Sequence, residues 1–177
     1  RLVQVAPEDA GCAWAPEAIY DAENGNYIVF WASTTAGDGF EKHRIWAART
    51  DDFRSFGEPF VFVEKPTTVI DTTIIHDGHR YHRFSKDEKF KAITLETADK
   101  LSGPWVEQPV FSLASLVGYE GPQCYLIEPT KGDQPPTWGL ILDHYAKGKG
   151  YQPFVSHDLA SGQFEVAEDF SFPFPFR

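Results

Sequence analysis

Three segments of this 177-residue chain each place a carboxylate beside apolar residues. They are residues 13–21, residues 69–75 with Asp71, and residues 119–125 with Glu120. Carboxyl groups in partly apolar, mutually close surroundings have pKa values that are pushed apart, so one can donate a proton while another stays ionised. A single acid of this kind is most often a turn cap or a solvated surface group. Three acids at equivalent positions of a repeat predict a carboxylate-lined pocket.

The segments that must position these acids follow a repeated pattern. Residues 27–32 form a short apolar run rich in β-branched and aromatic side chains, which favours a strand buried on both faces over a helix. The pattern of apolar run, turn and apolar run recurs, with 54 residues from Tyr27 to Tyr81 and 57 from Tyr81 to Trp138. A repeat of about 50 residues with about four strands is typical of a β-propeller blade.

The predicted fold class is therefore all-β, a β-propeller with about three four-stranded antiparallel blades. We expect one partial propeller domain over residues 1–177, with blades at about 12–68, 69–118 and 119–177. In a propeller the innermost strand of each blade brings its first residues to the axial pocket, which is where the three acids stand. A β-sandwich of some dozen strands remains the alternative, although its strands should alternate apolar and polar residues more cleanly than 27–32 does.

Charge and hydropathy exclude two classes of partner. The net charge is −10, with acidic residues interspersed along the chain, whereas nucleic-acid binding needs a basic stripe. No window approaches about 18 consecutive apolar residues, and residues 1–20 lack the order of a signal peptide. We expect neither nucleic acid nor a membrane as a partner.

Two cysteines and the absence of methionine complete the composition. Cys12 and Cys124 have no CxxC companion, which predicts two small buried hydrophobes rather than a metal site or a disulfide framework. The chain contains no Met and opens with Arg1. We interpret this as a sign that the sequence is a piece of a longer one.

Three motifs carry a resemblance to a known family. Trp-Ala-Pro-Glu-Ala-Ile-Tyr-Asp at 14–21, Val-Ile-Asp-Thr-Thr-Ile-Ile at 69–75 with 81–88, and Glu-Gly-Pro at 120–122 resemble successive blade motifs of glycoside hydrolase family 43. The resemblance runs from about residue 12 to 159, in order and at the family's spacing. It implies a five-bladed propeller of the arabinofuranosidase, arabinanase and β-xylosidase type, of which this chain resembles blades two to four.

The resemblance also implies roles for individual residues. Glu120 corresponds to the general acid, Asp71 to the residue that tunes the pKa of that acid and orients substrate, and Trp14 to a side chain lining the sugar pocket. The family inverts configuration, so the acid and a separate base stand about 6.5–9.5 Å apart to admit water. The family's base is an Asp in the first blade, and Asp9, in what looks like a connecting loop, is not assigned that role. We therefore expect the chain by itself to be inactive.

Further residues have open alternatives. Arg83 and Lys86 match a basic pair that could contact substrate or form ion pairs with Asp87 or Glu88. Asp143 follows the third blade's strand and could reach the pocket, as could His144 and Tyr145. His76, His79 and His82 resemble a ligand cluster but straddle a predicted turn, so no metal ligand is assigned. The Phe-rich tail 170–176 is expected to pack against other parts of the protein.

The resemblance implies a glycosidase that hydrolyses arabinofuranosyl or xylosyl linkages in plant cell-wall polysaccharide. The expected partners are an oligosaccharide or polysaccharide substrate and the remaining blades or a completing chain. No cofactor is expected to be required, although a complete propeller could hold a structural Ca²⁺. A secreted or periplasmic location is favoured over a cytoplasmic one. The alternatives are a non-catalytic carbohydrate-binding propeller and a structural fragment completed by another chain.

Overall fold

The computed structural model of the protein describes residues 2–168. Within this range there are twelve strands, namely β1 Trp14–Asp21, β2 Asn26–Ser33, β3 Arg44–Thr50, β4 Phe60–Val63, β5 Val69–His76, β6 Tyr81–Asp87, β7 Ala92–Ala98, β8 Val106–Glu107, β9 Glu120–Glu128, β10 Thr137–Asp143, β11 Tyr151–Ser156 and β12 Glu165–Val166. Three short 3₁₀ helices, Ala36–Asp38, Tyr145–Lys147 and Leu159–Ser161, complete the described part. The Phe-rich tail 170–176 lies outside the described residues.

The strands form three four-stranded sheets, each made of consecutive strands. The orders are β1-β2-β3-β4, β5-β6-β7-β8 and β9-β10-β11-β12. A sandwich would place Greek-key neighbours from distant parts of the sequence in one sheet, which is not the arrangement of these described strands. The predicted all-β class with three antiparallel blades is confirmed.

The chain divides into two compact units. The first comprises Arg1–Thr72 with Asp87–Lys89, and the second comprises Thr73–Lys86 with Phe90–Arg177. The division falls within β5 and β6, so the middle sheet contributes residues to both units. The prediction of one partial domain over 1–177 stays a prediction.

In the first unit, β2 is buried on both faces. Phe30, Trp31, Ala32 and Ser33 are consecutive and all nearly inaccessible to water. Because successive side chains of a strand point to opposite faces, four consecutive buried residues require cover on both sides. The burial predicted from the apolar run 27–32 is therefore found in the second half of that run.

In the second unit, a single apolar cluster joins the sheets that contribute to it. It includes Phe84 of β6, Leu95 of β7, Leu140 and Leu142 of β10, and Phe154 of β11. All five side chains are buried. The cluster also includes Cys124 of β9, so β6, β9 and β10 pack in one apolar core.

The cysteines and the hydropathy of the described residues add two observations. Cys124 is buried, Cys12 is partly buried, and both are free thiols. Within residues 2–168, no helix has the length and apolar character needed to cross a membrane.

Candidate active site

The first strand of each sheet has the same unusual backbone near its start. Ala15 in β1, Asp71 in β5 and Gly121 in β9 have φ values of 45°, 50° and 56°. The pairing register also shifts between Trp14 and Glu17 of β1, and between Ile141 and Asp143 opposite the start of β9. Such bulges re-aim side chains and are frequent beside active sites. Each predicted motif therefore has a left-handed residue at or next to its key residue, Trp14, Asp71 or Glu120.

Trp14 has an exposed indole that rests on a histidine. Half of the side chain is exposed. Its ring stacks on His43, with centroids 4.8 Å apart and planes inclined by 27°. The His43 backbone N–H donates to Thr68 Oγ1 at 2.8 Å, which ties the stack to the segment before β5. The arrangement leaves the indole able to stack on an apolar ring face.

His43 was not identified from the sequence, since no pattern pairs residue 43 with residue 14. Burial lowers the pKa of His43, and the nearby charges of Glu88, Asp38 and Asp71 oppose that effect. The net direction is downward, so the imidazole beside Trp14 is neutral at pH 7.

Asp71 belongs to the first unit and is partly buried. Its left-handed backbone is uncommon for a residue with a side chain, although Asp tolerates it better than most. The role of this side chain in tuning the acid stays a prediction.

Glu120, the predicted general acid, opens β9 in the second unit and is partly open to water. Its side chain is 35% exposed, and Oε2 lies 2.7 Å from Lys86 Nζ. Lys86 is 2% exposed and its ammonium lies 4.3 Å from the centroid of the Tyr145 ring. The carboxylate is therefore held by a buried cation, while the side chain as a whole stays 35% exposed to water.

Asp143 lies opposite Glu120 in the β9–β10 register. Glu120 and Asp143 are thus two predicted site residues that the fold brings together within one unit. The next residue, His144, stacks on Tyr119 with ring centroids 4.0 Å apart. Burial lowers the pKa of His144, helped by Lys147 and Lys149 and opposed by Asp143. The Tyr119 hydroxyl donates to Gln152 Oε1 at 3.1 Å.

Arg83 has a different environment from the one predicted. Its Nη2 lies 2.9 Å from Glu96 Oε2, with 5% and 13% of the two side chains exposed. The guanidinium also lies 4.1 Å from the centroid of the Trp105 ring. The sequence analysis offered an ion pair of Arg83 with Asp87 or Glu88 as one alternative. This alternative was wrong, because Arg83 pairs with Glu96 of β7. The predicted substrate contact of Arg83 stays a prediction.

The three histidines near the β5–β6 turn do not converge. His82 is fully buried and its Nε2 lies 2.7 Å from Asp77 Oδ2, whereas His76 and His79 are exposed. Burial alone would raise the pKa of Asp77, but hydrogen bonds from Arg80, His82 and His79 together lower it. Across residues 2–168, no group of three or more His, Cys, Asp or Glu side chains is arranged to hold a metal ion.

Comparison with known proteins identifies the family of the chain. A family model described as "Probable glycosyl hydrolase domain", of the group related to glycoside hydrolase family 43, matches residues 1–177. An α-L-arabinofuranosidase of Bifidobacterium longum subsp. longum is 28% identical, over 59% of this chain and 12% of that protein.

Two solved structures share the fold. A fructofuranosidase from Schwanniomyces occidentalis, complexed with fructose, has a TM-score of 0.66 and 14% identity, covering 94% of this chain and 36% of that one. A family 43 β-1,3-galactosidase has a TM-score of 0.63 and 15% identity, covering 93% and 35%. The chain thus spans about a third of these solved chains and about an eighth of the curated relative.

Likeness at such low identity shows the fold alone, and it confirms the β-propeller class predicted from the blade repeat. The family model matches the whole chain, which confirms the family predicted from the three motifs. The chain belongs to the glycosyl hydrolase domains related to glycoside hydrolase family 43.

Proposed function

We propose that this chain forms part of the catalytic domain of an inverting glycoside hydrolase, with Glu120 as its general acid. The observation that carries the proposal is the position of Glu120: it opens the inner strand of a blade, is 35% exposed and has one carboxylate oxygen fixed by Lys86. A general acid must be accessible to the leaving oxygen and held in one orientation. Both conditions are met at this residue.

Other predicted residues take supporting roles in the proposal. Trp14 stacks on a sugar ring, Asp143 accepts hydrogen bonds from sugar hydroxyls beside Glu120, and Asp71 tunes the acid. Trp14 is supported by its exposed indole and Asp143 by its register opposite Glu120. We assign the general base to no residue of this chain.

The proposed substrate is an arabinofuranosyl or xylosyl linkage of plant cell-wall polysaccharide. Support for the arabinosyl part comes from the Bifidobacterium relative, which is named an arabinofuranosidase. The solved structures with the same fold act on other sugars by their names, a fructofuranosidase and a galactosidase, so the fold alone does not select the pentose. A secreted or periplasmic location accords with a polymeric substrate of this kind.

A second candidate is a carbohydrate-binding propeller without catalysis. The contact between Glu120 and Lys86 favours it, because a buried ammonium at 2.7 Å holds the partly exposed side chain in one place, where it can accept a hydrogen bond from a sugar hydroxyl. In that role Glu120 would bind a sugar hydroxyl and no bond would break.

The test is Glu120→Gln in the natural-length protein that contains this chain. We expect turnover of arabinofuranosides and xylosides with poor leaving groups to fall by about 10²–10⁴-fold, since no proton reaches the departing oxygen. Aryl glycosides with very acidic phenols should lose much less, because their leaving groups depart without protonation. Glu128→Gln, at the exposed far end of the same strand, is the matched control and should keep wild-type rates.

The outcome distinguishes the two candidates. Near-normal turnover of the poor leaving groups by Glu120→Gln contradicts the catalytic proposal. Binding of arabino-oligosaccharide with no hydrolysis by the unmutated protein supports the carbohydrate-binding candidate.

A further inference from the structure

A buried lysine at the end of β6 contacts Glu120 directly. Lys86 Nζ lies 2.7 Å from Glu120 Oε2, and the lysine side chain is 2% exposed. Lysine is almost never buried this completely unless it is paired, and 2.7 Å is the length of a charge-assisted hydrogen bond. The folding of the second unit therefore places a fixed positive charge on one oxygen of this carboxylate.

The ammonium is fixed from a second side by Tyr145. Its nitrogen lies 4.3 Å from the ring centroid, within the range of a cation–π contact. Tyr145 begins the 3₁₀ helix after β10, and the N–H of Ala146 in that helix donates to the carbonyl oxygen of Gly118 at 3.2 Å. A side chain at Gly118 would put its Cβ 2.5 Å from the Cβ of Ala146. The close approach holds Tyr145 beside the start of β9, where Glu120 lies.

Other charged groups also face this part of the second unit. Asp143 stands opposite Glu120 on β10, and its negative charge opposes a second negative charge there. His144 packs on Tyr119, next to Glu120, while Lys147 and Lys149 are exposed farther along the same loop. Water and salt screen the two exposed cations, whereas the buried ammonium of Lys86 acts at contact distance.

We infer that Lys86 is a positioning residue for Glu120 in glycoside hydrolysis, an inference that rests on the proposed function. With Oε2 held by Lys86, Oε1 is the oxygen that carries the proton. That proton passes from Oε1 to the glycosidic oxygen as the bond from the anomeric carbon to that oxygen breaks. The leaving group departs as a neutral alcohol, water supplies the new hydroxyl on the anomeric carbon, and its proton goes to the base.

The experiment compares Lys86→Met, Lys86→Arg and Glu120→Gln in the natural-length protein, using a pentoside with a poor leaving group. Lys86→Met removes the charge at similar volume, and we expect kcat to fall about 10- to 100-fold while KM changes much less. Lys86→Arg restores the charge and should recover part of kcat. Lys147→Met, which removes an exposed cation from the neighbouring loop, should match wild type.

The outcomes separate this inference from the proposed function. If Glu120→Gln abolishes turnover but Lys86→Met keeps the wild-type kcat, the positioning role is wrong and the acid assignment stands. Equal losses of kcat in Lys86→Met and Lys86→Arg, with KM changed as much as kcat, indicate a purely structural lysine and also overturn the inference. If Glu120→Gln retains turnover, the proposed function itself fails. Should Lys86→Met not fold, Lys86→Gln, which keeps a donor but no charge, takes its place under the same criteria.

Discussion

The guanidinium of Arg83 shows how a single buried charge is stabilised in this protein. Burial lowers the pKa of Arg83, and the charge and hydrogen bonds of Glu96 oppose that effect. The pair is nearly closed to water, and the Trp105 ring covers the guanidinium. An isolated ion in such a place would cost several kcal/mol, so each charge is stabilised by the other.

We predict that Arg83→Met lowers the free energy of unfolding by about 3 kcal/mol, because it removes the cation that faces the buried carboxylate of Glu96. Denaturant unfolding of the chain measures this directly. Arg80→Met is the control, since Arg80 and Asp99 form an ion pair with 40% and 79% of their side chains exposed. Such a surface pair contributes at most about 1 kcal/mol. A small loss for Arg83→Met together with a large rise in KM would instead support the substrate contact predicted from the sequence.

At the scale of elements, the start of each inner strand has a left-handed residue. Ala15 and Asp71 adopt this conformation despite their Cβ atoms, at a cost of about 1–3 kcal/mol each. The surrounding sheets must compensate for that cost. The register shifts in β1 and opposite the start of β9 interrupt the regular alternation of side chains near Trp14 and Glu120.

Close approach between elements fixes the position of Gly162 in the second unit. Gly162 ends the 3₁₀ helix Leu159–Ser161 with φ of 66°, and a Cβ there would lie 2.3 Å from the carbonyl oxygen of Val110. The Ser112 N–H also donates to the Gly162 oxygen at 3.0 Å, which ties the loop after β8 to the loop after β11. Only glycine allows both the backbone conformation and the contact.

We predict that Gly162→Ala lowers the free energy of unfolding by roughly 3 kcal/mol, the sum of left-handed backbone strain and a clash with main-chain atoms. Gly132→Ala is the matched control, because Gly132 has φ of 60° but a Cβ added there would meet no atom within 4 Å. It should lose only about 1 kcal/mol. Urea unfolding of both variants checks the difference, and equal losses would show that the contact with Val110 is relieved without cost.

At the scale of the whole molecule, buried histidines make stability depend on pH. His82 is fully buried, and burial lowers its pKa although Asp77 opposes that effect. Its Nδ1 has no hydrogen-bond partner among the described residues, which suits a neutral ring that donates from Nε2 to Asp77. Burial also lowers the pKa of His43 and of His144.

The sign of the effect follows from proton binding. Below the ordinary histidine value of about 6.5, the unfolded chain takes up protons that the folded chain does not, so stability falls as the pH falls. We predict a lower thermal unfolding midpoint at pH 5.5 than at pH 7.5. His82→Gln, whose amide can still donate to Asp77, should show a smaller drop between the two values. An identical drop in the variant would mean that His82 does not contribute.

Much of the fold could be predicted from the sequence, because strand and turn signals act locally. The run 27–32 and the turn residues after Asp21 depend on neighbours within a few positions, and both correspond to observed structure, the strand β2 and the turn before it. The three motifs could be recognised because each is a short, nearly contiguous stretch of sequence. The partners of the charged side chains were harder to predict, and the pairing of Arg83 with Asp87 or Glu88 was wrong.

The sequence by itself determined the all-β class, the three blades and the positions of Trp14, Asp71 and Glu120 at the starts of inner strands. Only the tertiary structure decided which charges meet. Glu96 lies 13 positions from Arg83, and Glu120 lies 34 positions from Lys86. Hydrophobic periodicity sets where a strand runs, but an ion pair depends on which strand ends pack together and on how much water they exclude, and both properties arise only when the sheets assemble.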